Sequence, residues 1–370
     1  MKKSLLSLAV LAAVAAPAAF AQSSVTIYGK IDLGLVLDSG NAAGKSLRLS
    51  SGETGGSRLG FKGLEDLGGG YKAGFQLETG FCADSAAGVS TPVKNSAGTT
   101  IGTTTAPNFC TGSNAFMGRQ AHGDLSGSFG ALVAGRQFSL GFAALTQIDP
   151  FGSGYAGQAE NIVDVSGTRL NNSVHYTTPS IYGFTASGEV AFGETIGNWQ
   201  ASRETGAQVA WASGPAYVAF TTYDLDNANG IGSSRKNYQI GGTYDFGVIK
   251  VHGLVQKSDG SPTGAKKVDV LDLMGGVTVP LFGGSLLASY VHHNDRTAAS
   301  VSGNTGDEDA SQYGIGYSYP LSKRTAIYTA YARVHDDKNS FGKAAAFTVG
   351  NATETGTGDK AFNLGVVHNF

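Results

Sequence analysis

From Val25 onward the chain is written in runs of about ten residues in which apolar and polar side chains alternate, with turn-forming residues between them. Successive side chains of a strand point to opposite faces, so each run carries one oily and one wet face. Phe184, Ala186, Val190 and Phe192 oppose Thr185, Ser187 and Glu189. Tyr238, Ile240, Tyr244 and Phe246 oppose Asn237, Gln239, Thr243 and Asp245, and Ile249, Val251 and Val255 oppose Lys250, His252 and Gln256. After the amino-terminal segment, no stretch approaches the roughly 18 uninterrupted apolar residues that a spanning helix needs. Strands with one face in hydrocarbon can pair all their backbone groups only by closing into a ring. The expectation is therefore all-β, an antiparallel transmembrane β-barrel.

Strands are predicted near 25–37, 56–65, 71–80, 115–125, 130–137, 169–178, 184–193, 204–212, 216–224, 236–246, 248–257, 267–280, 285–294, 311–319, 326–335 and 361–370, sixteen in all. Connections alternate between short turns, such as Gly214-Pro215 and Phe282-Gly283-Gly284, and long loops, as in barrels with periplasmic turns and external loops. The last run puts Phe362, Leu364, Val366 and Phe370 on one face and ends on an aromatic residue suited to barrel closure and assembly.

Lys2 and Lys3, an apolar run from Leu5 to Ala16 and Ala19-Phe20-Ala21 read as a secretory signal peptide over 1–21, leaving 22–370 as the barrel. Export from the cytoplasm and a barrel together predict the outer membrane. The charge balance, 26 basic against 28 acidic residues, gives no basic surface for nucleic acid. Cys82 and Cys110 flank a Ser/Thr/Gly/Ala-rich segment. Two readings stand: a bridge formed in an oxidising compartment, contributing about 3.5 kcal/mol at most, or two unpaired thiols.

Other patterns carry little chemistry. Gly152, Gly154 and Gly157 fit a dinucleotide fingerprint, but 55 glycines in 370 residues produce such a match by chance, and no βαβ unit surrounds it. The seven histidines lack zinc-site spacing, and no cofactor or nucleophile-base constellation is legible. Asp307-Glu308-Asp309 falls in an external loop, where solvation is favoured over a divalent ion bridging lipopolysaccharide.

The order of Ser23-Ser24-Val25-Thr26-Ile27-Tyr28-Gly29, Ser57-Arg58-Leu59-Gly60-Phe61-Lys62-Gly63, Glu65-Asp66-Leu67-Gly68-Gly69-Gly70, Gly118-Arg119-Gln120-Ala121, Gly135-Arg136-Gln137, Asn172-Ser173-Val174-His175-Tyr176 and Leu321-Ser322-Lys323-Arg324-Thr325, with terminal Phe370, resembles the trimeric general porins of Gram-negative bacteria, most closely the β-proteobacterial branch. The resemblance implies a sixteen-stranded homotrimer with lipid and lipopolysaccharide around it, inserted by the barrel-assembly machinery. It also implies passive diffusion of small hydrophilic solutes and ions past an inward-folded third loop, here roughly 138–168. A substrate-specific channel for an organic acid, sugar or phosphate is the alternative.

In such porins an arginine cluster on the wall faces acids on that loop. Arg58, Arg119 and Arg169 match the wall positions and Asp149 matches the loop acid. Alternation places Arg58 opposite Leu59 and Phe61, and Arg169 with Asn171, Ser173 and His175, all towards the lumen. It places Arg136 with Leu132 and Ala134, outside the pore, and Lys62 and Lys250 on the lumen face away from the narrowest point. Three arginines against one acid predict a weak preference for anions, because low-dielectric walls strengthen the field across a narrow aqueous gap.

Overall fold

A computed structural model describes residues 24–41, 44–84, 90–94, 100–105, 116–163, 165, 167–226, 234–261, 268–296, 309–336, 347–354 and 356–370. The wall opens with β1 (Ser24–Asn41), β2 (Gly44–Ser51), β3 (Arg58–Gly68) and β4 (Tyr71–Gly80). A separate hairpin follows, β5 (Ser90–Lys94) with β6 (Thr100–Thr105). The wall resumes with β7 (Gln120–Gly127), β8 (Gly130–Phe138), β9 (Arg169–Thr177), β10 (Phe184–Ala191) and β11 (Arg203–Ser213). Next come β12 (Ala216–Asp226), β13 (Ser234–Asp245), β14 (Lys250–Ser261) and β15 (Val268–Leu281). It ends with β16 (Gly284–Asp295), β17 (Ala310–Pro320), β18 (Thr325–Asp336) and β19 (Lys360–Asn369).

Neighbours run antiparallel, and β1 pairs with β19 from Lys30↔Asn369 to Ser39↔Lys360, which closes the ring. On its other side β1 pairs with β3 below and β2 above, so these two share one place in the wall. The barrel therefore has sixteen strands. The stretch that forms β2 was expected to be loop. Its partner strand breaks at 52–57, where Gly52 and Gly55 take positive φ, and the predicted second strand covered only the lower half. The hairpin between Cys82 and Cys110 was likewise expected to be loop. Cys82 is in the disulfide-bonded state, while Cys110 and the 1–21 leader lie outside the described residues.

The alternation reads inside out relative to a soluble protein. Ile240 is 51% exposed on the outer face, whereas its neighbour Gln239 is 4% exposed on the inner one. Among the described residues no helix is long and apolar enough to cross a membrane. Closure is sealed at the carboxy terminus. Gly29 and Phe370 exchange two backbone hydrogen bonds of 3.0 Å, and the Phe370 ring occupies the place that a Gly29 Cβ would take. Only glycine leaves room for that ring.

The third loop leaves β8 after Phe138 and rejoins the wall at Arg169, as predicted, but it contains an unforeseen helix, α1 (Leu140–Ile148). Ser139 caps it, accepting the Phe142 N–H at 3.2 Å. Asp149-Pro150 ends it, because proline disfavours helical backbone in the residue before it. Both helix ends are bonded to the wall. The Leu140 N–H donates to Glu189 Oε2 of β10 at 2.9 Å, and the Ile148 carbonyl lies 2.7 Å from His252 Nδ1 of β14. A carboxylate at the first turn and an imidazole at the last both complement the helix dipole.

Apolar residues then hold the loop to the inner wall. Leu145, Ile148, Phe151, Ile162 and Val163 bury themselves against Leu254 of β14, Met274 of β15 and Val291 of β16. Each large side chain removed from water contributes about 1.5–3 kcal/mol. The Phe151 ring lies over Gly314 and Gly316 of β17, where an added Cβ would approach it to 3.0 and 2.9 Å.

Candidate functional site

The loop is held to the wall from β10 round to β18, across the barrel from β3, β4 and β7. Charge concentrates there. Lys30 of β1 and Arg58 of β3 are direct cross-strand partners. Like charges in that relation destabilise a sheet, and a local conflict of this kind marks a place where function outweighs folding. Two carboxylates act on both, Asp32 of β1 and Glu78 of β4. Glu78 of β4 lies 3.5 Å from Arg58 Nε and 2.7 Å from Arg119 Nε, and Glu78 Oε2 accepts the Tyr28 hydroxyl at 3.0 Å. Gln76 donates in turn to Tyr28 at 2.7 Å.

The cations differ in their surroundings. Arg58 is partly exposed, with a quarter of its side-chain surface open (26%). Arg119 is buried and also uses its backbone N–H on the Glu78 carbonyl, at 3.1 Å. It is a strut of the wall as well as a charge. Lys30 Nζ donates to Thr54 Oγ1 at 3.4 Å. The backbone of Gly55 and Gly56 gathers these heads together. Cβ atoms built there would stand 3.2 Å from Lys30 Nζ, 3.9 Å from Arg58 and 2.7 Å from Arg119.

Arg169 reaches the group by a route that alternation misses. Between Gly135↔Ser173 and Gln137↔Leu170 the ladder holds one extra residue on β9, where Asn172 takes a positive φ of 51°. The slip puts Leu170 on the inner parity, buried with Ala191 and Tyr223. Arg169 therefore does not share a face with Ser173 and His175. Its guanidinium instead stacks 4.5 Å from the Phe138 ring centre and lies within electrostatic reach of Arg119, Arg136, Glu78 and Arg58. Its Nε is buried without an acceptor among the described residues. Arg136 is anchored to the Gly118 carbonyl at 2.7 Å and to Asn171 at 2.5 Å.

Asp149 needs a larger correction. It stands on the third loop but is 4% exposed, and its carboxylate accepts the backbone N–H groups of Phe151, Ser153 and Ala159 at 3.0, 3.2 and 3.0 Å. Burial pushes its carboxyl up to about 6 against the pull of those bonds. It shapes the turn after α1 and presents no charge to the lumen. Among the described residues of the loop, the acid that Arg169 acts on is Glu160. Burial first, then the neighbouring Asp149, raise its carboxyl to about 7, and Arg169 acts in the opposite direction. Lys30 and Glu78 were legible as lumen-facing from alternation alone, but nothing in the linear order joined them to Arg58 and Arg119. Glu160 carried no signal beyond its place in the loop.

On one side of the barrel stand Lys30, Arg58, Arg119 and Glu78, with Arg169 stacked on Phe138 beside them. On the other lies a loop clamped by apolar contacts and wall bonds.

Residues 7–339 match the family model described as Gram-negative porin. The chain is 32% identical to outer membrane porin protein 32 of Delftia acidovorans over 386 residues, covering 100% of both chains. It is 31% identical to an outer membrane porin protein of Bordetella pertussis, covering 90% of this chain and 94% of the relative. Among solved structures, the anion-selective porin from Comamonas acidovorans superposes with a TM-score of 0.71 at 28% identity, over 94% of this chain and 100% of that one. OmpF of Salmonella typhi, at 14% identity and a TM-score of 0.64 over 94% of this chain and 97% of the other, shares the fold. Sixteen antiparallel strands closed on themselves, an oily exterior, a charged interior and an inward third loop meet in one conclusion: the chain belongs to the Gram-negative porin family and is an outer-membrane β-barrel channel.

Proposed function

We propose that this porin passes small hydrophilic solutes and ions passively through a water-filled pore and favours anions. The observation that carries the preference is the imbalance of charge there: the four cations Lys30, Arg58, Arg119 and Arg169 outnumber the carboxylates that act on them, Glu78, Asp32 and Glu160, while Asp149 is turned into its own loop. Low-dielectric walls concentrate that field, so an anion finds a well where a cation finds a barrier. The likeness to an anion-selective porin supports the same reading.

The likeness to porins supports a homotrimer with lipopolysaccharide around its outer rim. The aromatic carboxy terminus seated on Gly29 supports Phe370 as the mark by which the barrel-assembly machinery recognises the chain. The Cys82–Cys110 bridge belongs to the same reading and would brace the long second loop. The test of the central claim is the reversal potential of the reconstituted protein in a planar bilayer under a KCl gradient. A potential with the sign of chloride permeation is expected, and one with the sign of potassium overturns the preference.

A further inference from the structure

The third loop is a hairpin, and a hairpin lying along a wall is least constrained at its tip. Here the tip, around Gly154 and Tyr155, meets two other segments at one buried carboxylate. That carboxylate is Glu53, fully buried in the break between β2 and β3. Its backbone carbonyl accepts the Tyr155 N–H at 2.5 Å. Gly154 sits so tightly on Thr54 that an added Cβ would stand 2.7 Å from the Thr54 carbonyl. Thr54 is itself fixed, donating to Asp32 through its N–H at 2.7 Å and its hydroxyl at 2.6 Å.

The second segment is 347–354, which precedes β19 and turns inward. Val349 is buried in the interior apolar cluster with Ile162 and Val163 of the third loop. Asn351 Nδ2 donates to Glu53 Oε1 at 2.8 Å, and Asn363 of β19 donates to Glu53 Oε2 at 2.9 Å. The same segment holds the loop directly. Gln158 Nε2 donates to the Asn351 carbonyl at 2.9 Å, and the Gly350 N–H donates to Asn161 Oδ1 at 3.0 Å. Its far end is tied to the wall, with Thr353 Oγ1 donating to the Ser51 carbonyl at 2.6 Å and Arg48 Nε to Glu354 at 3.0 Å.

We propose that Glu53 is a positioning residue for conduction: it clasps the tip of the third loop and the strap 347–354 to the wall, and together they set the cross-section of the pore. The strap is then a second moulding of the constriction. Glu53 itself touches no permeating ion and acts through the two segments it holds. A buried carboxylate with two amide donors is costly to leave half satisfied, so loss of the clasp frees both segments instead of leaving them in place.

The proposal rests on the chain forming a conducting pore, which the stepwise currents of the unaltered protein test separately. Single-channel recordings, liposome swelling with sugars of graded size and heat-modifiable mobility on gels are to be compared for the unaltered protein, Glu53→Ala, Asn351→Ala and Glu53→Gln. Glu53→Ala is expected to raise open-channel conductance about twofold, add flickering between levels and admit larger sugars. Asn351→Ala moves the same readouts less. Glu53→Gln brings them back towards the original values. Its oxygen still accepts from Asn351, and its amide can donate to a turned Asn363, whose Oδ1 has no hydrogen-bond partner among the described residues. Conductance, flicker and size limit unchanged in a Glu53→Ala barrel of normal heat-modifiable mobility overturn the proposal. Should that variant not fold, Asn351→Ala and Gln158→Ala carry the test, and quiet currents of unaltered size in both overturn it equally.

Discussion

Two halves of the same inner wall do opposite things. Along β14–β18 the inward positions are Leu254, Met274, Leu287, Val291 and Ala330, and they bury the third loop as a soluble protein buries a core. Along β1, β3, β4 and β7 the inward positions are Lys30, Arg58, Glu78 and His122, and they stay in or beside the open lumen. The difference shows how a barrel becomes a selective pore. One half uses its side chains to hold a narrowing element still, which leaves the other half free to place charges that folding alone would keep apart.

The comparison breaks most readily on the apolar side. Phe151→Ala removes a ring that is 2% exposed and seated on Gly314 and Gly316, at a cost of about 3–5 kcal/mol to loop docking. Protease cleavage within 139–168 and a clear rise in conductance are expected, with the barrel itself intact on gels. Resistance to cleavage equal to that of the unaltered chain would show that the loop does not depend on this packing.

On the charged side, Arg58→Ala is expected to lower the chloride-to-potassium permeability ratio about threefold while leaving thermal unfolding nearly unchanged, because the side chain is partly in water and its pair with Glu78 is long. An unchanged reversal potential would remove Arg58 from the constriction. Glu78→Gln sharpens the same contrast. It keeps an oxygen for Arg119 and takes away the charge nearest the arginines, so the ratio should rise about twofold. A fall would mean that Glu78 serves anion passage by ordering the arginines more than it hinders it by charge.

The smallest effect concerns pH. The Glu160 carboxyl is raised to about 7, so it is largely ionised in alkaline medium and neutral in acid. Acidification removes a negative charge near Arg169, and the anion preference should be modestly greater at about pH 5.5 than at about pH 8.5. Glu160→Gln should flatten that dependence. A dependence that survives the substitution would assign the titration to another group.

Much of the wall was readable from linear order because a strand against lipid has a strict rule: every second side chain must be apolar. Where that rule holds, as in β13 and β17, the predicted and observed strands nearly coincide. It failed where a strand breaks or slips. Gly52 and Gly55 split one wall strand into β2 and β3, and the extra residue at Asn172 reversed the parity of Leu170 and Arg169. Short of those points the face of Arg58 was readable, but its partner was not. Arg58 and Glu78 are twenty positions apart in the chain and meet only because β3 and β4 pair in a particular register.

The sequence by itself determined that this chain must close into a membrane barrel, since alternating faces leave no other way to pair the backbone in hydrocarbon, and that basic residues would line its interior. Only the tertiary structure decided which acids count. Asp149 and Glu160 lie on one loop with the same chemistry, yet three backbone N–H groups claim the first, and only the second was found within electrostatic reach of Arg169. Exposure and partners are properties of packing, and a period of two residues carries no information about them.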